Sequence, residues 1–274
     1  MIRCTVTCVG VLLATIAWAG PAEDCNSTRD ADRKIRGCTE IIAAVQDQKN
    51  LTGAYYNRGL AYIQKSEYGK ALADHRKAIE VNPRLPQPYA GLGVIYLAGK
   101  DYGQAITAFS KAVNIDPRFA PGHKGLGDAY TAKKDYDRAI DHFSKAIRIQ
   151  PKSAGAYLMR GMAYQGKNDT DERAITDYSK AIELSPKNPE GYNCRAWAFF
   201  KAGRAAQGLP DVEKSLALRP DDARTLDTRG HILEALGRGD EAIADFRRAL
   251  SLGPNDVELQ ASSKEALKRL GVSP

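Results

Sequence analysis

The sequence predicts an all-α fold, an array of helical hairpins stacked one after another along the chain. Three observations carry that expectation. Helix formers (Ala, Leu, Lys, Glu, Gln, Arg) are abundant, and alternating runs of Val, Ile and Thr are missing, so no sheet is expected. A pattern of glycine, tyrosine, alanine, aromatic, alanine and proline recurs about every 34 residues. The stretch APGHKGLGDAYTAKKDYDRAIDHFSKAIRIQP, Ala120 to Pro151, shows it in full, with Gly127, Tyr130, Ala139, Phe143, Ala146 and Pro151.

The chain opens with a segment that reads as a secretory signal peptide, residues 1–19. Arg3 supplies the positive start and Val6 to Ala17 the apolar run. Ala17-Trp18-Ala19 places small residues where a signal peptidase cuts; a cut after Ala22, or retention as an anchor, is the alternative. Export to a periplasmic or secreted location leaves Cys25, Cys38 and Cys194 in an oxidising compartment. DRKIRGCTEII aligns with DRAIDHFSKAI of the third unit, which puts Cys38 at the aromatic position of a second helix. A Cys25–Cys38 disulfide is expected there, across a loop of about 14 residues worth roughly 3 kcal/mol of loop entropy. Residues 20–51 then form an N-terminal capping segment. Cys194 is expected to be a partly buried thiol, and no CxxC motif marks a thiol oxidoreductase.

Six units follow over residues 52–254, bounded as 52–85, 86–119, 120–153, 154–188, 189–222 and 223–254. Their glycine position reads Gly59, Gly93, Gly127, Gly161, Ala196 and Gly230, and their closing prolines Pro83, Pro117, Pro151, Pro186, Pro220 and Pro254. One extra residue falls in the turn Lys167 to Asp171, where an insertion costs little. In each unit the glycine lets the second helix come close, and the alanine–aromatic–alanine stripe faces it at four- and three-residue spacing. The proline then ends the second helix. His75 takes the aromatic position of the first unit. The fifth unit is the most divergent, with Val212 for the aromatic and Pro210 inside its second helix, which is expected to bend or to begin near Pro210. Residues 255–274 supply a final amphipathic helix rich in Lys and Glu, the polar cap that a stacked array needs.

From Thr52 to Asn255 these residues resemble the tetratricopeptide repeat. The resemblance implies a right-handed superhelical solenoid of helix-turn-helix repeats, the first helix of each lining a concave groove. It also implies a fold without chemistry of its own whose partners are proteins or peptides. Some relatives clamp a partner's C-terminal carboxylate with Lys, Asn and Arg; Asn57, Lys124 and Asn193 do not complete that set in adjacent units.

Composition and motifs narrow the function further. The formal net charge of +7 comes from 40 basic and 33 acidic residues that are interspersed, so no nucleic-acid partner is expected. No HExxH, glycine-rich phosphate loop or GxSxG occurs, so no enzyme, metal or cofactor is expected. A basic ladder, Lys77, Lys111, Lys145, Lys180, Lys214 and Arg248, recurs on the second helices. Asp74, Asp177, Asp211 and Asp245 precede four of these by three residues and are expected to pair with them.

On the first helices runs a second stripe, apolar in four units, from which Tyr56, Leu60, Val94, Met162, Trp197 and Phe200 are the candidate partner-binding residues. The expectation is a monomeric protein–protein scaffold of the cell envelope, with no membrane span after signal cleavage. The alternatives are an accessory subunit that meets polysaccharide or lipid machinery through a basic convex face, and a self-assembling structural array.

Overall fold

The computed structural model describes residues 20–27, 30–44, 47–167 and 171–273. The signal-peptide segment and residues 168–170 of the inserted turn lie outside them. Fifteen helices and no strand occur among the described residues, so the chain is all-α, a solenoid of antiparallel helix pairs. It divides into two compact units, one ending at Pro83 and the other starting at Arg84.

The first unit holds α1 (Pro21–Asn26), α2 (Ala31–Ala44), α3 (Gln48–Gln64) and α4 (Tyr68–Val81). Helix α3 starts four residues before position 52, where the repeat pattern begins. Helix α1 lies on Gly37 of α2: a Cβ there would sit 2.6 Å from the carbonyl of Pro21. Cys25 and Cys38 are both buried, with Cα atoms 4.5 Å and sulfurs 2.04 Å apart, and Ala54 of α3 closes the cluster.

The second unit holds five complete pairs and one last helix. The pairs are α5 (Pro86–Ala98) with α6 (Tyr102–Ile115), α7 (Ala120–Ala132) with α8 (Tyr136–Ile149), α9 (Ala154–Gly166) with α10 (Asp171–Leu184), α11 (Pro189–Lys201) with α12 (Ala205–Leu218), and α13 (Ala223–Ala235) with α14 (Gly239–Leu252). Helix α15 (Val257–Arg269) ends the array. It buries Leu259, Ala266 and Leu267 and leaves Lys264, Glu265 and Lys268 in solvent. Asp101, Asp135, Asp222 and Asp256 cap helices by accepting from backbone N–H groups, because those donors have no partner inside the helix.

The repeat's glycine and aromatic are one joint. A Cβ on Gly127 would meet the ring of Phe143 at 2.5 Å, and Phe143 is fully buried. Gly127→Val is therefore expected to cost at least about 1–3 kcal/mol by overpacking. The check is a lower denaturant midpoint with an unchanged slope. The fifth unit reassigns the joint. Val212 is smaller than an aromatic, Ala196 fills the space, and the close approach passes to Gly208, whose Cβ would lie 2.8 Å from the carbonyl of Ala196. Helix α12 starts at Ala205, five residues ahead of Pro210, so a start near Pro210 is corrected. The proline is exposed in the second turn and costs only the N–H that would reach Ala206.

The aspartates of the second helices do not pair with the basic ladder. Asp74, Asp177, Asp211 and Asp245 are buried and receive bidentate hydrogen bonds from Arg58, Arg160, Arg195 and Arg229 of their own unit's first helix, at 2.6–2.8 Å. Three of these arginines reach further, donating at 3.0 Å to a hydroxyl on the preceding second helix: Arg58 to Thr39, Arg160 to Ser144, Arg195 to Ser179. The physical reason is burial: a carboxylate facing the core needs a forked donor opposite it, whereas a surface lysine is solvated. The second unit carries Leu92 with Ala108 at these positions, an apolar replacement, and the third carries Leu126 with His142.

Candidate functional site

The first helices of successive repeats present their stripes on one face of the second unit. Between α9, α11, α13 and α15 that face sinks into a hollow of about 360 Å³. Met162 and Trp197 line it. Met162 is 37% exposed, and the half-buried Trp197 is held by ring contacts to Phe200 at 5.1 Å and His231 at 5.7 Å. Four- and three-residue spacing along α11 puts Trp197 over Asn193 and beside Phe200. Asn193 also lines the hollow, and its Oδ1 is buried without a hydrogen-bond partner among the described residues.

The far wall is polar and tied together. Asp227 accepts from Ser262 at 3.0 Å and from Ser263 at 2.5 Å, docking α15 on α13. Ser262, with its O–H donated to Asp227, accepts from His231 Nε2 at 2.9 Å. Burial holds the His231 pKa below its ordinary value, against the pull of Asp227 and Glu234. The imidazole donates within the wall, and Ser262 is a structural tie between α13 and α15. Arg224 and Asp256 pair on the rim at 2.8 Å, and Glu258 adds a further negative charge. Burial, with Glu190 behind it, pushes the Cys194 thiol up to about 12, so it is no thiolate. No group of three or more His, Cys, Asp or Glu fit for a metal occurs among the described residues.

The six candidate residues do not converge. Met162 and Trp197 share the hollow. Phe200 is half-buried against the Ala196, Val212 and Ile232 cluster, so its ring mainly closes the junction of α11, α12 and α13. Val94 is 42% exposed on α5. Tyr56 and Leu60 belong to the first unit and are half-buried; the Tyr56 ring leans on His75 at 5.7 Å, and burial raises its pKa. Sequence reasoning missed the unpaired acceptor of Asn193 and the acidic contribution of α15. The polar triplet Asp227, His231, Glu234 was the signal for that wall, but its partners Ser262 and Ser263 lie 35 and 36 residues further on.

No helix among the described residues is long and apolar enough to cross a membrane. No curated protein matches the chain in sequence. Solved structures with a similar fold include PilW, a widely conserved type IV pilus biogenesis factor, at 19% identity and a TM-score of 0.70, covering 80% of this chain and 99% of that one. PilF of Pseudomonas aeruginosa matches at 20% identity and 0.69, with the same coverage. YrrB, a TPR protein with an unusual peptide-binding site, matches at 20% identity and 0.55 over 69% of this chain and 97% of that one. The description "TPR repeat" fits residues 127–168 and 171–203, and "Tetratricopeptide repeat" fits residues 53–85, 86–119 and 223–256. Residues 120–126 at the start of the third unit, 169–170 in the turn of the fourth and 204–222 over the second helix of the divergent fifth fall between these matches. With helix pairs, glycine–aromatic joints and repeat matches in one register, this chain belongs to the tetratricopeptide-repeat family.

Proposed function

We propose that the protein is a non-catalytic scaffold of the bacterial cell envelope that holds a segment of a partner protein on its first-helix face. The hollow at Met162 and Trp197 carries the reading. It offers two apolar anchors and an acidic rim of Asp256 and Glu258 beside Arg224. Export is supported by the signal-like segment of residues 1–19, and an oxidised Cys25–Cys38 pair agrees with it. The similar fold in pilus biogenesis factors and in a peptide-binding protein agrees with a scaffold.

The test is affinity capture from an envelope extract with the mature chain and with Met162→Ala/Trp197→Ala. Hot-spot side chains contribute about 2 kcal/mol each, so the captured partner is expected to bind the variant at least roughly thirtyfold more weakly. Helical content and melting are expected to stay near those of the parent. Loss of folding in step with loss of binding would make these residues core and sink the reading. The intact mass of the same preparation reports a start at Gly20 and the two hydrogens lost on oxidation; a start at Met1 or two free thiols would remove the envelope from the proposal.

A further inference from the structure

The repeats can be compared with one another, and the third differs in charge from the first and the fourth. In the first and fourth units the ladder lysine is neutralised three residues on, Lys77 by Glu80 at 2.6 Å and Lys180 by Glu183 at 2.7 Å. In the third unit the glutamate's position is Arg148, and Lys145 turns back to Asp141 at 2.7 Å. Arg118, in the turn before α7, joins them. Arg118, Lys145 and Arg148 line a hollow of about 540 Å³ with Pro117, His123 and Ile149.

Neither guanidinium meets a carboxylate among the described residues. Asp141 is paired with Lys145, and Asp116 turns to the backbone N–H of Arg118 at 2.8 Å. Neither acid lines the hollow, whose wall holds three cationic side chains and no carboxylate. His123 builds the site. It stands where four other units carry Tyr55, Tyr89, Tyr157 and Tyr192, and its shorter ring leaves room. The Pro117 carbonyl can only accept, so His123 donates to it from Nε2 at 3.0 Å and holds the turn that bears Arg118. Its Nδ1 then accepts from His142 Nδ1 at 3.3 Å.

We infer that this hollow binds a phosphate group. A guanidinium is a planar fork that suits two oxygens, and two guanidinium groups in a wall without carboxylates match a phosphate dianion better than a singly charged carboxylate. The phosphate can belong to a free ion or soluble ester, or to a lipid headgroup.

Titration calorimetry of the full mature chain with inorganic phosphate, and vesicle co-sedimentation with phosphatidylcholine with or without phosphatidic acid, separate these sources. Saturable binding of one phosphate per chain is expected. Losing charge-assisted contacts in Arg118→Gln/Arg148→Gln is expected to weaken it at least about tenfold. Lys77→Gln, a paired ladder lysine elsewhere, is expected to leave it unchanged. Binding confined to the phosphatidic acid vesicles and lost in the double variant assigns the site to a headgroup. Binding of either probe that survives the double substitution, or binding of neither probe to the parent, overturns the inference.

Discussion

Asp177→Ala is expected to destabilise the second compact unit by about 3–5 kcal/mol, the cost of leaving one member of a buried ion pair alone. The Arg160 side chain is 19% exposed and that of Asp177 5%, so the guanidinium left behind cannot simply turn to water. Arg160 also holds Ser144, and its hydrogen bonds to Asp177 are the chief cause that raises its pKa. The second unit of the array shows the remedy, since it places Leu92 and Ala108 at these positions. Arg160→Leu/Asp177→Ala is therefore expected to recover most of the loss, because well-packed apolar replacements of buried pairs are close to neutral. Denaturant unfolding of the two single variants and the double variant gives the coupling. If the double variant is as unstable as the sum of the singles, the strut is not a pair and the explanation fails.

The second large effect is acid sensitivity centred on His75. Its ring is fully buried, neither nitrogen has a hydrogen-bond partner among the described residues, and burial pushes its pKa down to about 4. An unfolded histidine titrates near 6.5. Between those values the unfolded chain binds the proton and the folded chain does not, so stability rises with pH across that window. The contribution is complete above about pH 6.5 and is lost as pH falls towards 4, by about 3 kcal/mol in all.

Phe109, Phe143 and Phe246 occupy the same position in other units, each over a glycine as His75 lies over Gly59. His75→Phe is expected to raise stability at neutral pH and to flatten its decline below pH 6.5. His142 acts in the same sense, pushed down to about 4 by burial first and by Lys145 and His123 after it. The measurement is therefore the difference between parent and His75→Phe, followed by hydrogen exchange in α4 from pH 7.5 to 5. Parallel pH profiles for the two proteins would rule out His75 as the source.

The fold was legible because the glycine–aromatic joint repeats in the chain itself. Gly127 and Phe143 are 16 residues apart and in direct contact, and the same spacing recurs in neighbouring units. The struts were equally present in the letters and were misread. Asp177 lies three residues before Lys180, and helix spacing invites that pairing; the decisive signal was that arginine and aspartate appear together in the same four units and vanish together in the other two. Burial decided between the readings, and burial of a carboxylate is a property of the packed pair, not of either helix. The candidate hollow was half legible. Met162 and Trp197 were visible as apolar residues on a polar-permitting face, whereas the unpaired oxygen of Asn193 and the wall around Asp227 depend on which side chains fill the next two repeats.

The arginines that join three helices also give the array a direction of growth. As the chain leaves the ribosome or crosses a membrane from its N-terminus, Arg160 meets a hydroxyl that is already in place, Ser144, before its carboxylate has emerged. Arg195 stands in the same order between Ser179 and Asp211. Each new first helix can dock on a finished neighbour and wait for its own second helix to lock it, so the array is built to be laid down from one end.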